Sequence, residues 1–136
     1  MERAALQSRA AAAGVAIRFA GYSGDPRAFL AGLHLYVQPS RSEGLCVAAH
    51  EAMQAGLPVI ASAVGQLPYS IANDRSGLVV SPGDAPALTS ALAKMLAQPD
   101  RLATMGEAAR ADMLKRFNPD HFRATGLAIL EQMRCF

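Results

Sequence analysis

The sequence has no tryptophan, two cysteines, and aromatic residues at only 6% of its 136 positions. Each scarcity closes a class of function. Few aromatics leave few platforms on which bases stack. A formal charge of +2 from 13 basic and 11 acidic residues provides no cationic field, so nucleic acid is not the expected partner. The only lysines, Lys94 and Lys115, are far apart in the chain. Cys46 and Cys135 are too few and too widely spaced for a disulfide framework or a zinc site. A reducing, cytoplasmic setting is therefore the expected home. No apolar run approaches the roughly 20 residues that cross a bilayer. Met1-Glu2-Arg3 is not followed by the long apolar core of a secretory signal. What the sequence does have is apolar surface: 51% of residues, in a length that suits one domain.

Punctuation and periodicity divide the chain into alternating elements. Residues 2–13 are alanine-rich and predict a helix that Gly14 stops. Ile17, Phe19 and Gly21 alternate with Arg18 and Ala20, which predicts a short strand. Asp25-Pro26 is a cap followed by proline at the first helical position, opening a short helix through Leu33. Leu35 to Gln38 reads as a buried strand. Residues 45–55 read as a helix closed by Gly56. Pro58 to Ala61 and Gly77 to Val80 read as strands, with one helical turn (Leu67 to Ala72) in the loop between them. Apolar stripes at Leu88, Leu92, Met95 and Leu96, at Leu102, Met105, Ala109 and Met113, and at Phe122, Ile129, Leu130 and Met133 predict three core-facing helices. Strands alternating with helices predict an α/β fold with a Rossmann-like parallel sheet and helices on both faces. Ligands of such sheets bind beyond the carboxyl ends of the strands, where the loops 39–44 and 62–74 lie.

The first of these loops carries the chemistry. Val37-Gln38-Pro39-Ser40-Arg41-Ser42-Glu43-Gly44-Leu45-Cys46 runs from a strand end to a helix start. Unpaired amides and the partial positive charge of a helix start suit a phosphate. Gly44 lets a ligand approach closely, and Arg41 is either an added cation or a solvated arginine. Glu43 and Glu51 lie eight residues apart, about 12 Å along an ideal helix with about 80° of rotation, so they suit two ends of an elongated ligand. Each has a plainer alternative. Ser40 and Glu43 have capping-box spacing, and Glu51 can be a solvated helix residue.

Pro39-Ser40-x-x-Glu43-Gly44, Glu51-Ala52-Met53 and Gly56-x-Pro58-Val59-Ile60-Ala61 together resemble the carboxyl-terminal domain of the retaining glycosyltransferases of family 4, or group 1. The similarity continues through Gly65, Gly77-Leu78-Val79-Val80, Pro82-Gly83-Asp84 and Met105-Gly106 with Ala109-Arg110, so it covers nearly the whole chain. The resemblance implies two Rossmann-like domains facing across a cleft, the carboxyl-terminal one holding a nucleoside diphosphate sugar. By it, Glu43 meets hydroxyls of the transferred sugar and Glu51 those of the ribose. Amides around Leu45 and Cys46 meet the pyrophosphate, and the loop at Gly65 also touches the donor. No metal or other cofactor is implied. The acceptor belongs mainly to an amino-terminal domain this chain lacks, and membrane-peripheral association of the parent stays open. A non-catalytic nucleotide-binding module and a nucleotide-sugar epimerase on the same architecture are the alternatives.

The sequence also departs from that pattern. Leu45-Cys46 stands where the family often has Phe-Gly, which raises the alternatives of a reactive thiol with a lowered pKa or a small buried hydrophobe. Tyr69 stands where a glutamate is common after Gly65. His34, His50 and His121 read as structural histidines. The two strands that open the family's domain, with their arginine and lysine, are not in this chain, so it is expected to be a fragment of a larger enzyme, inactive alone. Without them the Leu35 strand becomes an open edge. Two resolutions follow: the Ile17 strand pairs beside it, or the chain forms a homodimer along it.

Overall fold

Short, mostly apolar segments supply the sheet. Tyr36–Gln38 (β1), Val59–Ser62 (β2) and Gly77–Val80 (β3) form three parallel strands in the order β1-β2-β3 in a computed structural model that describes residues 3–133. Cys135 lies outside that description, as do the side chains of His121, Gln132 and Met133. The register sets Tyr36 beside Val59 and Gln38 beside Ala61, then Val59 beside Gly77 and Ser62 beside Val80. Because the strands are parallel, the loops after Gln38, Ser62 and Val80 all emerge at one end of the sheet.

Helices cover both faces. In chain order they are α1 (Arg3–Ala12), α2 (Pro26–Ala31), α3 (Val47–Gln54), α4 (Leu67–Ser70), α5 (Ala85–Leu96), α6 (Pro99–Arg116) and α7 (Pro119–Met133). Asp25 and Asp84 cap α2 and α5 by accepting the Ala28 and Ala87 amides, and both helices carry an early proline. All of β2 is buried, and its residues alternate between two cores. Val59 and Ala61 face Ala49 and Met53 of α3 with Ala109 and Met113 of α6. Ile60 faces Leu78, Ala91, Met95 and Met105. Each large side chain so buried stabilises the fold by about 1.5–3 kcal/mol. This two-sided cover confirms the expected α/β architecture.

Three expectations need correction. No strand forms at Ile17–Gly21: residues 15–23 have no regular structure, and Ile17 is 54% exposed. A strand needs a neighbouring strand for its backbone groups, and among the described residues none pairs with this segment, whose Phe19 carbonyl accepts from Arg3 instead. The Ile17 segment therefore does not pair with β1, whose outer edge has no strand beside it among the described residues. The third apolar stripe is not core: on α7, Phe122 is 82% exposed and Leu130 60% exposed. Leu96, expected in the first stripe, also faces solvent, whereas Met95 is buried.

Candidate functional site

The loop between β1 and α3 differs from the sequence expectation in one informative way. Helix α3 begins at Val47, so Glu43 stands in the loop and not on the helix. The ideal-helix separation of the two glutamates therefore does not apply. The capping-box alternative also fails, because Ser40 caps no helix. Its hydroxyl donates instead to Glu43 Oε1 at 2.6 Å. Gln38 Nε2 donates to the same oxygen at 2.8 Å and to Ser40 Oγ at 2.7 Å. The Tyr36 hydroxyl donates to Gln38 Oε1 at 2.7 Å. Glu43 is half-buried at the end of this relay.

Glu51 is exposed on α3, and its carboxylate makes no hydrogen bond to another described residue. It lines a groove of about 530 Å³ with Pro26, Arg27, Gln54 and Arg110. Arg110 also donates to the Gln54 carbonyl at 3.2 Å, fixing α6 to the end of α3. The two glutamates meet electrostatically at Tyr36. Burial raises the phenol's pKa, and the neighbouring Cys46, Glu43 and Glu51 raise it further.

Cys46 is the N-cap of α3 and has φ 57°, a left-handed conformation that favours glycine. This is the position where the resemblance expects glycine. Its side chain makes no cap hydrogen bond. The amides of Leu45, Cys46, Val47 and Ala48 find no acceptor among the described residues. They form an open donor cluster at the helix start. Burial pushes the Cys46 thiol up in pKa; the Ala49 amide pulls it down, and the Glu43 carboxylate, which it hydrogen-bonds, pushes it up again. Of the two alternatives, the arrangement favours the small hydrophobe: Cys46 packs against the core as a small, partly buried side chain.

Gly65 locks the second loop onto the first. A Cβ at this position would run into the Gly44 and Glu43 carbonyls, and the backbone has φ +55°. The Gln66 amide donates to the Gly44 carbonyl at 2.9 Å. Around Gly44 itself there is open space. Leu45 is 46% exposed beside it. Arg41 is exposed and lines a separate groove of about 210 Å³ with Pro39, Ser62 and Gly83. Tyr69 is exposed and lines another groove of about 580 Å³, among whose walls is no residue expected at the site.

Of the expected residues, the structure therefore brings together Glu43, Gly44, Leu45, Cys46 and Gly65, with Glu51 within electrostatic reach through Tyr36. Arg41 lines its own groove, also at the carboxyl ends of the strands. His50 is buried as a structural histidine, its Nε2 sharing a hydrogen bond of 2.8 Å with Ser70 Oγ. His34 is exposed. Sequence reading missed Tyr36 and Gln38, although their i, i+2 spacing on a strand leading into the loop was a usable signal. It also missed Arg27 beside Glu51; nothing local marks this residue, which only folding brings there.

Comparisons with known proteins agree on one family. The model described as "Glycosyl transferases group 1" matches residues 1–112. A D-inositol 3-phosphate glycosyltransferase of Gordonia bronchialis is 43% identical over 88 residues, covering 65% of this chain and 19% of that protein. The chain thus spans about a fifth of that relative's length. Among solved structures, sucrose-phosphate synthase of Thermosynechococcus elongatus superposes with a TM-score of 0.72 at 34% identity, over 79% of this chain and 27% of the other. HepE of Anabaena, solved in complex with UDP, superposes with a TM-score of 0.86 at 21% identity, over 95% of this chain and 36% of that one.

Proposed function

This chain belongs to the group 1 glycosyltransferases, and we propose that it is the part that holds a nucleoside diphosphate sugar, in a parent enzyme that transfers the sugar with retention of configuration. One observation carries the reading: the open amide cluster at the start of α3 lies between Glu43, fixed in the preceding loop, and Glu51, free on the helix. The site sits beyond the carboxyl end of the parallel sheet, where such folds bind ligands.

In this reading the diphosphate rests on the amides of Leu45 to Ala48, which meet the charge that grows on it as the bond to the sugar breaks. Glu51 accepts the ribose hydroxyls, since an ionised carboxylate only accepts and a hydroxyl pair donates. Glu43 accepts hydroxyls of the sugar and orients it. Gly65 keeps the second loop close enough to complete the donor face. The crystal structure of HepE with UDP is consistent with a nucleotide in this fold. The remainder of the parent supplies the acceptor site. It also supplies the strands that meet the outer edge of β1, in preference to a homodimer along that edge.

Product analysis of the parent enzyme tests this. With an α-configured donor, NMR of the product should show an α-linkage together with free nucleoside diphosphate, and Glu43→Ala should lower kcat by about a hundredfold or more. An inverted linkage refutes retention. An epimerised but intact nucleotide sugar would favour the epimerase alternative instead.

A further inference from the structure

The Gln66 amide and Gly65 hold the backbone at Glu43 and Gly44, but they do not set the direction of the Glu43 side chain. That side chain is held from the sheet. Tyr36 and Gln38 are two apart on β1, so their side chains share one face and line up toward the loop. The hydrogen count of this relay permits one direction. Glu43 Oε1 accepts, so Gln38 must turn its Nε2 toward it, and the two amide hydrogens then go to Glu43 Oε1 and Ser40 Oγ. Gln38 Oε1 is left facing Tyr36, whose hydroxyl must donate. The Ser40 hydroxyl, having accepted from Gln38, spends its own hydrogen on Glu43 Oε1. A flipped amide would set oxygen against carboxylate oxygen. Glu43 Oε1 thus accepts from two donors, and the carboxylate also takes the hydrogen bond of the Cys46 thiol.

We propose that Gln38, itself oriented by Tyr36, is a positioning residue that fixes the direction in which the Glu43 carboxylate meets the donor sugar. The proposal rests on the donor-binding reading above. Leucine at position 38 fills similar volume with no donor. Asparagine keeps the amide but is one methylene too short to reach both Ser40 and Glu43. Phenylalanine at position 36 removes only the hydroxyl that sets the amide's direction.

The test compares the parent protein with Gln38→Leu, Gln38→Asn and Tyr36→Phe, titrating each with the nucleoside diphosphate alone and with its sugar nucleotide, then measuring kcat and KM. The expected result is an unchanged affinity for the bare nucleotide in all three. Gln38→Leu should weaken the sugar nucleotide and lower kcat by about tenfold, and Tyr36→Phe by a few-fold. A merely structural role would weaken both ligands together, and that result overturns the proposal. So does a Gln38→Leu protein that binds and turns over the sugar nucleotide normally. A wild-type protein that binds neither ligand overturns the donor reading and this proposal together, which distinguishes the two failures.

Discussion

At the scale of single residues, the site is built from side chains whose chemistry depends on where the backbone puts them. Cys46 shows this most clearly. Its φ of 57° costs an ordinary residue about 1–2 kcal/mol relative to glycine. Partial burial against the core offsets part of that cost. Thermal unfolding should therefore place Cys46→Gly within about 1 kcal/mol of the parent sequence, because relieved strain and lost packing oppose one another. Cys46→Val should be about 2 kcal/mol less stable than Cys46→Gly, since a β-branched side chain is a true outlier at positive φ. Equal stability of the two variants would show that the left-handed conformation is not held in solution. The same residue shows how tertiary contacts decide between two readings that the sequence leaves open. A cysteine at a helix start suggests a lowered thiol pKa, but burial and the Glu43 charge act the other way, and both come from tertiary contacts.

At the scale of elements, most boundaries were legible. Asp25-Pro26, Gly56 and the Met105–Met113 stripe each specify local geometry, and α2, α3 and α6 follow them within two or three residues at most ends. What was not legible depends on a partner. Among the described residues, Ile17–Gly21 alternates like a strand but finds no strand to pair with, and the α7 stripe stays exposed at Phe122, Ile129 and Leu130. Ser40 and Glu43 have capping-box spacing, yet the helix starts too late for either to cap it. His50 joins three elements at once: it sits on α3, bonds Ser70 of α4, and packs edge-on against Phe117, 5.3 Å away at the end of α6. Burial, reinforced by Arg116, lowers its pKa below 6.5. The unfolded chain, with histidine near 6.5, then binds the proton more readily than the folded one. Stability is therefore fully present above pH 6.5 and is lost as the pH falls through the folded value. Melting temperature should decline on acidification from pH 7.5 to 5. The slope should be shallower in His50→Gln, and an unchanged slope would place the sensitivity elsewhere.

At the scale of the whole molecule, β2 and its two cores form the part of the fold that this chain completes by itself. The outer edge of β1, the segment at 15–23 and the apolar face of α7 are left without cover among the described residues. The proposed donor site stands on loops anchored to the completed core. Family membership and this placement lead to one central claim, that the chain binds the nucleotide of a sugar donor through the start of α3 and Glu51. Calorimetric titration of the parent protein with UDP, GDP and ADP, alongside its Glu51→Ala variant, tests it most directly. The account predicts that one nucleotide binds and that the substitution weakens it by about tenfold or more, the loss of charge-assisted hydrogen bonds to the ribose. Equal binding by the variant, or no binding of any nucleotide, would contradict it.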